Sequence, residues 1–188
     1  MKNLLQTNIE ASIAQLRALK ALEAPLLEAA QMVERCLRDG HKLLLCGNGG
    51  SAADAAHIAT EFVCRYQRDR RAYPAICLSD SGSTLTATGN DYDFKTIFAR
   101  QVEAFGRDGD VLIALSTSGR SPNVVAALEQ ARRQQLASIA LLGHDGGAAR
   151  GLASLDLVVP GCVTARIQEA HKLLLHTLCE MVEQTLAE

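Results

Sequence analysis

Short apolar runs recur through the middle of the chain: LLLC at 43–46, AICLS at 75–79, VLIALS at 111–116, SIALL at 138–142 and LDLVV at 155–159. Each run is continuous rather than alternating, the pattern of strands covered on both faces. Between them the apolar period changes to that of helices, over 51–66, 93–105 and 122–135, with a weak pattern near 147–152. A long last helix is predicted from about Arg166 to Leu186, in a C-terminal segment spanning 164–187. Strands alternating with helices predict an α/β fold: a doubly wound, parallel, five-stranded sheet. In such sheets ligands bind beyond the carboxyl ends of the strands, near a switch in strand order.

The first 38 residues carry a different pattern. Leu5, Ile9, Ile13, Leu16 and Leu19 recur at helical spacing, and so do Leu26, Ala29, Met32, Val33 and Cys36, with Pro25 near the boundary of two helices. The stripe of the first helix is narrow and fits packing on a partner subunit as well as on its own domain. The expected organisation is one domain over 1–188, made of a helical segment (1–38), an α/β core (42–160) and a C-terminal helix (164–187).

Composition sets outer limits. A chain of 188 residues, 48% hydrophobic and 21% charged, can build one proper core. Its net charge of −2 argues for neither nucleic acid nor an anionic membrane as partner. Arg65, Arg68, Arg70 and Arg71 form a local basic run that suits a solvated helix end or a phosphate-facing patch. The six cysteines contain no C-x-x-C pair, which predicts reduced core thiols in a cytoplasmic protein. No signal-peptide pattern and no membrane-spanning apolar run is present in the sequence.

Two strand ends carry loops suited to an anion. The first is Gly47-Asn48-Gly49-Gly50-Ser51, in which glycines admit close approach of backbone N–H groups. Ser51 is expected to cap the following helix, with Asp54 completing a capping-box pattern, and the helix N-terminus adds partial positive charge. The second is Ser116-Thr117-Ser118-Gly119-Arg120-Ser121, where four hydroxyls cluster and Ser121 precedes Pro122 at a helix start. A dinucleotide site is the alternative for the first loop, since Gly47, Gly49 and Ala52 fit G-x-G-x-x-[GA]. However, Asp80 lies 28 residues beyond Ala52, further than a ribose-binding acid should.

His57 and Glu61, at i and i+4, share a helix face and could chelate a metal or pair a carboxylate with an imidazole. The last helix carries Gln168, Glu169, His171 and His176. Gln168 and His176 lie about 80° apart around the axis and about 12 Å along it, and Glu169 is closer in angle to His176. Spacing therefore leaves Gln168 and Glu169 both open, and places His171 on another face.

Taken together, GNGGSAADAAHIATEF (47–62), RRAYPAI (70–76), LTATGNDYDF (85–94), GDVLIALSTSGRSPNV (109–124) and ARIQEAH (165–171) with His176 resemble the phosphoheptose isomerases of the SIS (sugar isomerase) superfamily. The likeness covers nearly the whole chain. It implies a flavodoxin-like sheet, and a homotetramer with active sites between subunits. It also implies conversion of D-sedoheptulose 7-phosphate to D-glycero-D-manno-heptose 7-phosphate, the entry to ADP- or GDP-heptose synthesis for lipopolysaccharide core or another heptose glycan. By motif it implies one Zn2+ per subunit on His57, Glu61, Gln168 and His176. Substrate would contact Asn48, Gly49, Gly50, Ser51, Glu61, Asn90, Asp91, Ser116, Thr117, Ser118, Ser121 and Gln168. Glu61 and His176 would be the catalytic pair. Ala165 stands where some members carry an aspartate. Two rivals fit the same fold: a non-catalytic partner of the replication initiator DnaA, which would lack the acid and imidazole found here as Glu61 and His176, and a sugar-phosphate-sensing module.

Overall fold

The computed structural model describes residues 3–186, so position 187 of the expected C-terminal helix lies outside the described residues. Five parallel strands form one sheet: β1 (Leu43–Cys46), β2 (Ala75–Cys77), β3 (Val111–Ser116), β4 (Ala137–Gly143) and β5 (Leu155–Val159). Their spatial order is β2-β1-β3-β4-β5. The order reverses between β1 and β3, which is the switch point of a flavodoxin-like sheet. The two loops singled out as anion sites follow those two strands.

The helices are α1 (Leu4–Ala18), α2 (Glu23–Arg38), α3 (Gly50–Val63), α4 (Gly82–Asp91), α5 (Ala99–Phe105), α6 (Pro122–Arg133) and α7 (Thr164–Leu186). A 3-10 turn over Leu19–Leu22 separates α1 from α2, and Pro25 sits in the first turn of α2, where its missing N–H costs nothing. Alternate strand residues serve opposite faces. Leu43, Leu45, Ile113, Leu115, Ile139 and Leu141 pack with α2, α3 and α7. Leu44, Cys46, Leu112, Ala114, Ala140 and Leu142 pack with Phe98 and Val102 around α5 and with Val124, Ala127 and Leu128 of α6. Burying one such large side chain stabilises the fold by roughly 1.5–3 kcal/mol.

Four sequence expectations need correction here. α4 was not anticipated, because GSTLTATGND has too few apolar residues to show a period; only Thr88 is buried and Ser81 caps the helix by accepting from the Thr84 N–H. α3 stops at Val63 rather than Tyr66. The span 93–105 divides into a 3-10 turn (Phe94–Thr96) and α5. All six cysteines are free as expected, but Cys64 and Cys162 are exposed rather than in the core. Burial raises the thiols of Cys36 to about 12, Cys77 to about 11 and Cys179 to about 12, so these stay protonated and inert.

At the amino end of the sheet a buried carboxylate ties β1 to β3. Asp110 accepts from the Lys42 N–H, the Lys42 ammonium and the Arg107 N–H. The carboxyl end, by contrast, is where polar side chains from α3, α6 and α7 meet.

Candidate active site

Gly49, not Ser51, occupies the cap position of α3, with φ 54° and ψ −120°, a conformation that disfavours any side chain. Ser51 is buried inside the first helical turn and forms no cap bond, so the capping-box reading fails. Its would-be partner Asp54, 2% exposed, turns instead to α7, accepting from Gln168 Nε2 at 3.1 Å and pairing with Lys172 Nζ at 2.9 Å. Gly50 is needed for another reason: a Cβ there would collide with the Gln168 side-chain amide. The N–H groups of Gly49 and Gly50 meet no backbone acceptor among the described residues, which leaves them free for an anion at the helix start.

The second loop is organised by its own hydroxyls. Ser116 Oγ accepts from the Gly119 N–H and donates to Ser121 Oγ at 3.2 Å, while Ser118 Oγ accepts from the Arg120 N–H. Thr117 and Ser118 stay partly open to solvent. Ser121 caps α6 by position, with Pro122 at the first helical residue, but its side chain makes no cap bond. The two loops are joined by a reciprocal amide pair: Asn48 and Asn123 each donate to the other at 2.8 Å. Asn123 was not anticipated, and its adjacency to the serine loop was the available signal. Asn48, Ser121 and Asn123 line a cavity of about 260 Å³ with Phe94 and Lys95. Asn90 and Asp91 are exposed at the end of α4 and hydrogen-bond to each other, so only the segment after them reaches this cavity. A larger cavity, about 520 Å³, lies at the other end of the sheet around Arg132 and Ser154, far from these groups.

α3 and α7 run side by side in the same direction, which the pairings of Asp54 with Gln168 and of His57 with His176 record. Two turns beyond Gln168, His176 faces His57, their Nε2 atoms 2.9 Å apart and their rings edge to face. His57 Nε2 in turn lies 3.5 Å from Glu61 Oε1. The structure thus brings His57, Glu61 and His176 together as a chain of contacts. Gln168 lies two turns away and donates to Asp54 rather than touching these three, whereas Glu169 pairs with Arg166 and accepts from Ser12 on α1. His171, fully buried, donates from Nε2 to the Leu142 carbonyl and serves the core. Burial, with the neighbouring His57 and Lys172, pushes the His176 imidazole below its usual value against the pull of Glu61 and Asp54. Tyr66, also unanticipated, stacks on His176 at 5.8 Å between ring centres.

Among the described residues no three His, Cys, Asp or Glu side chains close into a metal cage. The donor types nevertheless suit zinc: two imidazole nitrogens directed at each other, a carboxylate beside them, and an amide whose Nε2 is engaged by Asp54, leaving its oxygen as the donor.

Residues 8–143 match the SIS domain family. Over 181 residues the chain is 51% identical to the phosphoheptose isomerase of Roseiflexus sp., covering 96% of this chain and 92% of that one. The phosphoheptose isomerase structure from Francisella tularensis superposes with a TM-score of 0.93 at 37% identity, covering 98% of this chain and all of that one. That from Neisseria gonorrhoeae gives 0.89 at 41%, covering 96% and 97%. With relatives this similar over nearly their whole length, and with a matching domain model over most of the chain, the chain belongs to the phosphoheptose isomerases of the SIS domain family.

Proposed function

We propose that this protein interconverts D-sedoheptulose 7-phosphate and D-glycero-D-manno-heptose 7-phosphate through an enediol. The observation that carries the reading is the meeting of Glu61 and His176, through His57, where α3 and α7 face each other. The phosphate of the substrate sits against the hydroxyls of Ser116, Thr117, Ser118 and Ser121, and the N–H groups of Gly49 and Gly50 hold sugar oxygens. Asn48, fixed by Asn123, presents its amide beside them. Glu61 removes the carbon-bound proton and returns it at the neighbouring carbon. His176 relays the oxygen protons.

Zn2+ is the metal we assign to His57, Glu61, Gln168 and His176. When bound there it polarises the carbonyl and stabilises negative charge on the enediolate oxygen. The unpaired cysteines support a reducing compartment, the cytoplasm, where the product would enter nucleotide-activated heptose and lipopolysaccharide synthesis. No described helix is long and apolar enough to cross a membrane.

The working form is a homotetramer with active sites between subunits. Its support is α1, which buries none of its residues while Leu5, Ile9 and Ile13 stand 75%, 47% and 37% exposed along one stripe. A second copy of this chain is the occupant that satisfies it. His57, itself exposed, lies where a neighbouring subunit could close the site.

The test is incubation of the purified protein with sedoheptulose 7-phosphate in D2O, followed by NMR with and without a chelator. Proton exchange at C1 and C2 with formation of the aldose is expected, and removal of the metal should suppress it. No exchange under any metal condition would move the assignment to a binding protein.

A further inference from the structure

The carboxylate of Glu183 has no part in the chemistry above, yet it is 4% exposed and filled to capacity. Oε1 accepts from the Tyr66 N–H at 3.1 Å and from Arg70 Nε at 3.3 Å, and Oε2 from the N–H groups of Gln67 at 2.9 Å and Arg68 at 3.0 Å. Four donors occupy the roughly four lone-pair sites of a carboxylate. Three of them are consecutive backbone N–H groups, so the segment that follows α3 is folded around this one side chain. Glu183 and His176 are seven residues apart on α7, hence on the same face about 10 Å apart along the axis.

Two routes run from this clamp to the site. The first goes through Tyr66, whose N–H is held by Glu183 and whose ring lies against His176 with only 26° between the planes. The second goes through Arg70. Its guanidinium, 6% exposed, donates Nη2 to the Glu61 carbonyl at 2.5 Å and Nη1 to the Phe62 carbonyl at 2.9 Å. Those are orphan carbonyls of the last turn of α3, the turn that carries Glu61. One carboxylate on α7 therefore fixes the ring packed on the proposed proton relay and the backbone beneath the proposed base.

We propose that Glu183 is a positioning residue of the isomerase site, acting through the 64–70 segment on His176 and Glu61; this rests on the isomerase reading above. Its removal displaces reacting groups rather than substrate-binding loops, which sit at the opposite end of α3. Turnover should suffer and substrate affinity should not.

The experiment measures kcat, KM and Tm for the metal-loaded protein and for Glu183→Gln, Tyr66→Phe, Tyr66→Ala and the double variant Glu183→Gln/Tyr66→Ala. Glu183→Gln keeps the shape but sets an amide N–H2 against backbone donors. Its kcat should fall about tenfold to a hundredfold, with KM within about threefold. Tyr66→Phe keeps the ring and should stay close to native, whereas Tyr66→Ala should match Glu183→Gln. Because the two act in one chain, the double variant should be no slower than the slower single. A lower Tm with unchanged kcat in Glu183→Gln, or losses that multiply in the double variant, would reduce Glu183 to a structural clamp. Should Glu183→Gln fail to fold, Arg70→Lys takes its place: the lost fork should lower kcat, and full kcat would overturn the proposal. A parent protein silent towards sedoheptulose 7-phosphate overturns the isomerase reading itself, whereas an active parent with fully active variants overturns the positioning role alone.

Discussion

A carboxylate that takes a carbon-bound proton contributes about 10²–10⁴ in rate, so Glu61→Gln should abolish measurable turnover. The side chain is half-buried and, among the described residues, held by no ion pair except that with His57, so the fold and sugar-phosphate binding should persist. Isomerisation assayed by NMR, alongside ligand binding by calorimetry, separates the two; near-native activity would remove Glu61 as the base. Gly50→Ala is subtler. Its backbone tolerates a side chain, but the new Cβ would land on Gln168, whose flexible end can swing away. We expect little change in Tm and a fall in kcat/KM of at least about tenfold, the cost of displacing one positioned polar group. Such residues mark the limit of reading from sequence. His57 and Glu61 were visible because helical spacing puts them on one face. Gln168 and Glu169 could not be told apart until α3 was seen to cover one and α1 the other. Asp54, Tyr66 and Asn123 gain their roles only from partners more than 70 residues away in the chain.

Strands were more legible than the exposed helix. β1, β3 and β5 begin and end where their apolar runs do, because a continuous apolar run marks a strand packed on both faces. α4, with one buried residue, left no such trace. The end of α3 was misplaced because Glu183 and Arg70, far apart in sequence, pull residues 64–70 out of the helix. That clamp makes a pH prediction. Burial alone raises the Glu183 carboxyl, but the N–H groups of Gln67, Arg68 and Tyr66 and the Arg70 cation outweigh it, holding it below its ordinary value of 4.5. A carboxyl that binds its proton more weakly when folded stabilises fully above its unfolded pKa and loses that contribution as pH falls through the folded one. The Tm difference between the parent and Glu183→Gln should therefore be constant near neutrality and close below about pH 4.5. The amino end of the sheet offers a control. Asp110→Asn strips acceptors from Lys42 and Arg107 and should cost about 2–3 kcal/mol in urea unfolding, with KM unchanged.

At the scale of the whole molecule, the sheet order β2-β1-β3-β4-β5 gathers the glycine-rich and serine-rich loops at one switch point, the place where sheets of this kind bind ligands. What a single chain does not provide is cover for α1. Its apolar stripe continues at helical spacing into Leu16 and Leu19, which do pack inward, and the outer residues would carry the proposed interface. α1 is also tied to the active-site helix: Ser12 donates to Glu169, and Arg166 donates to the Asn8 carbonyl and to Ser12 Oγ. A partner seated on α1 thus bears on the helix that carries Gln168 and His176. Placing charges on the stripe with Leu5→Glu and Ile9→Glu removes nothing the monomer buries, so circular dichroism should show an intact fold. Sedimentation should change from a tetramer to smaller species, and turnover should fall with the loss of the tetramer, because sites between subunits need both sides. A parent protein that sediments as a monomer, or a dissociated variant with native kcat/KM, would place each active site within one chain.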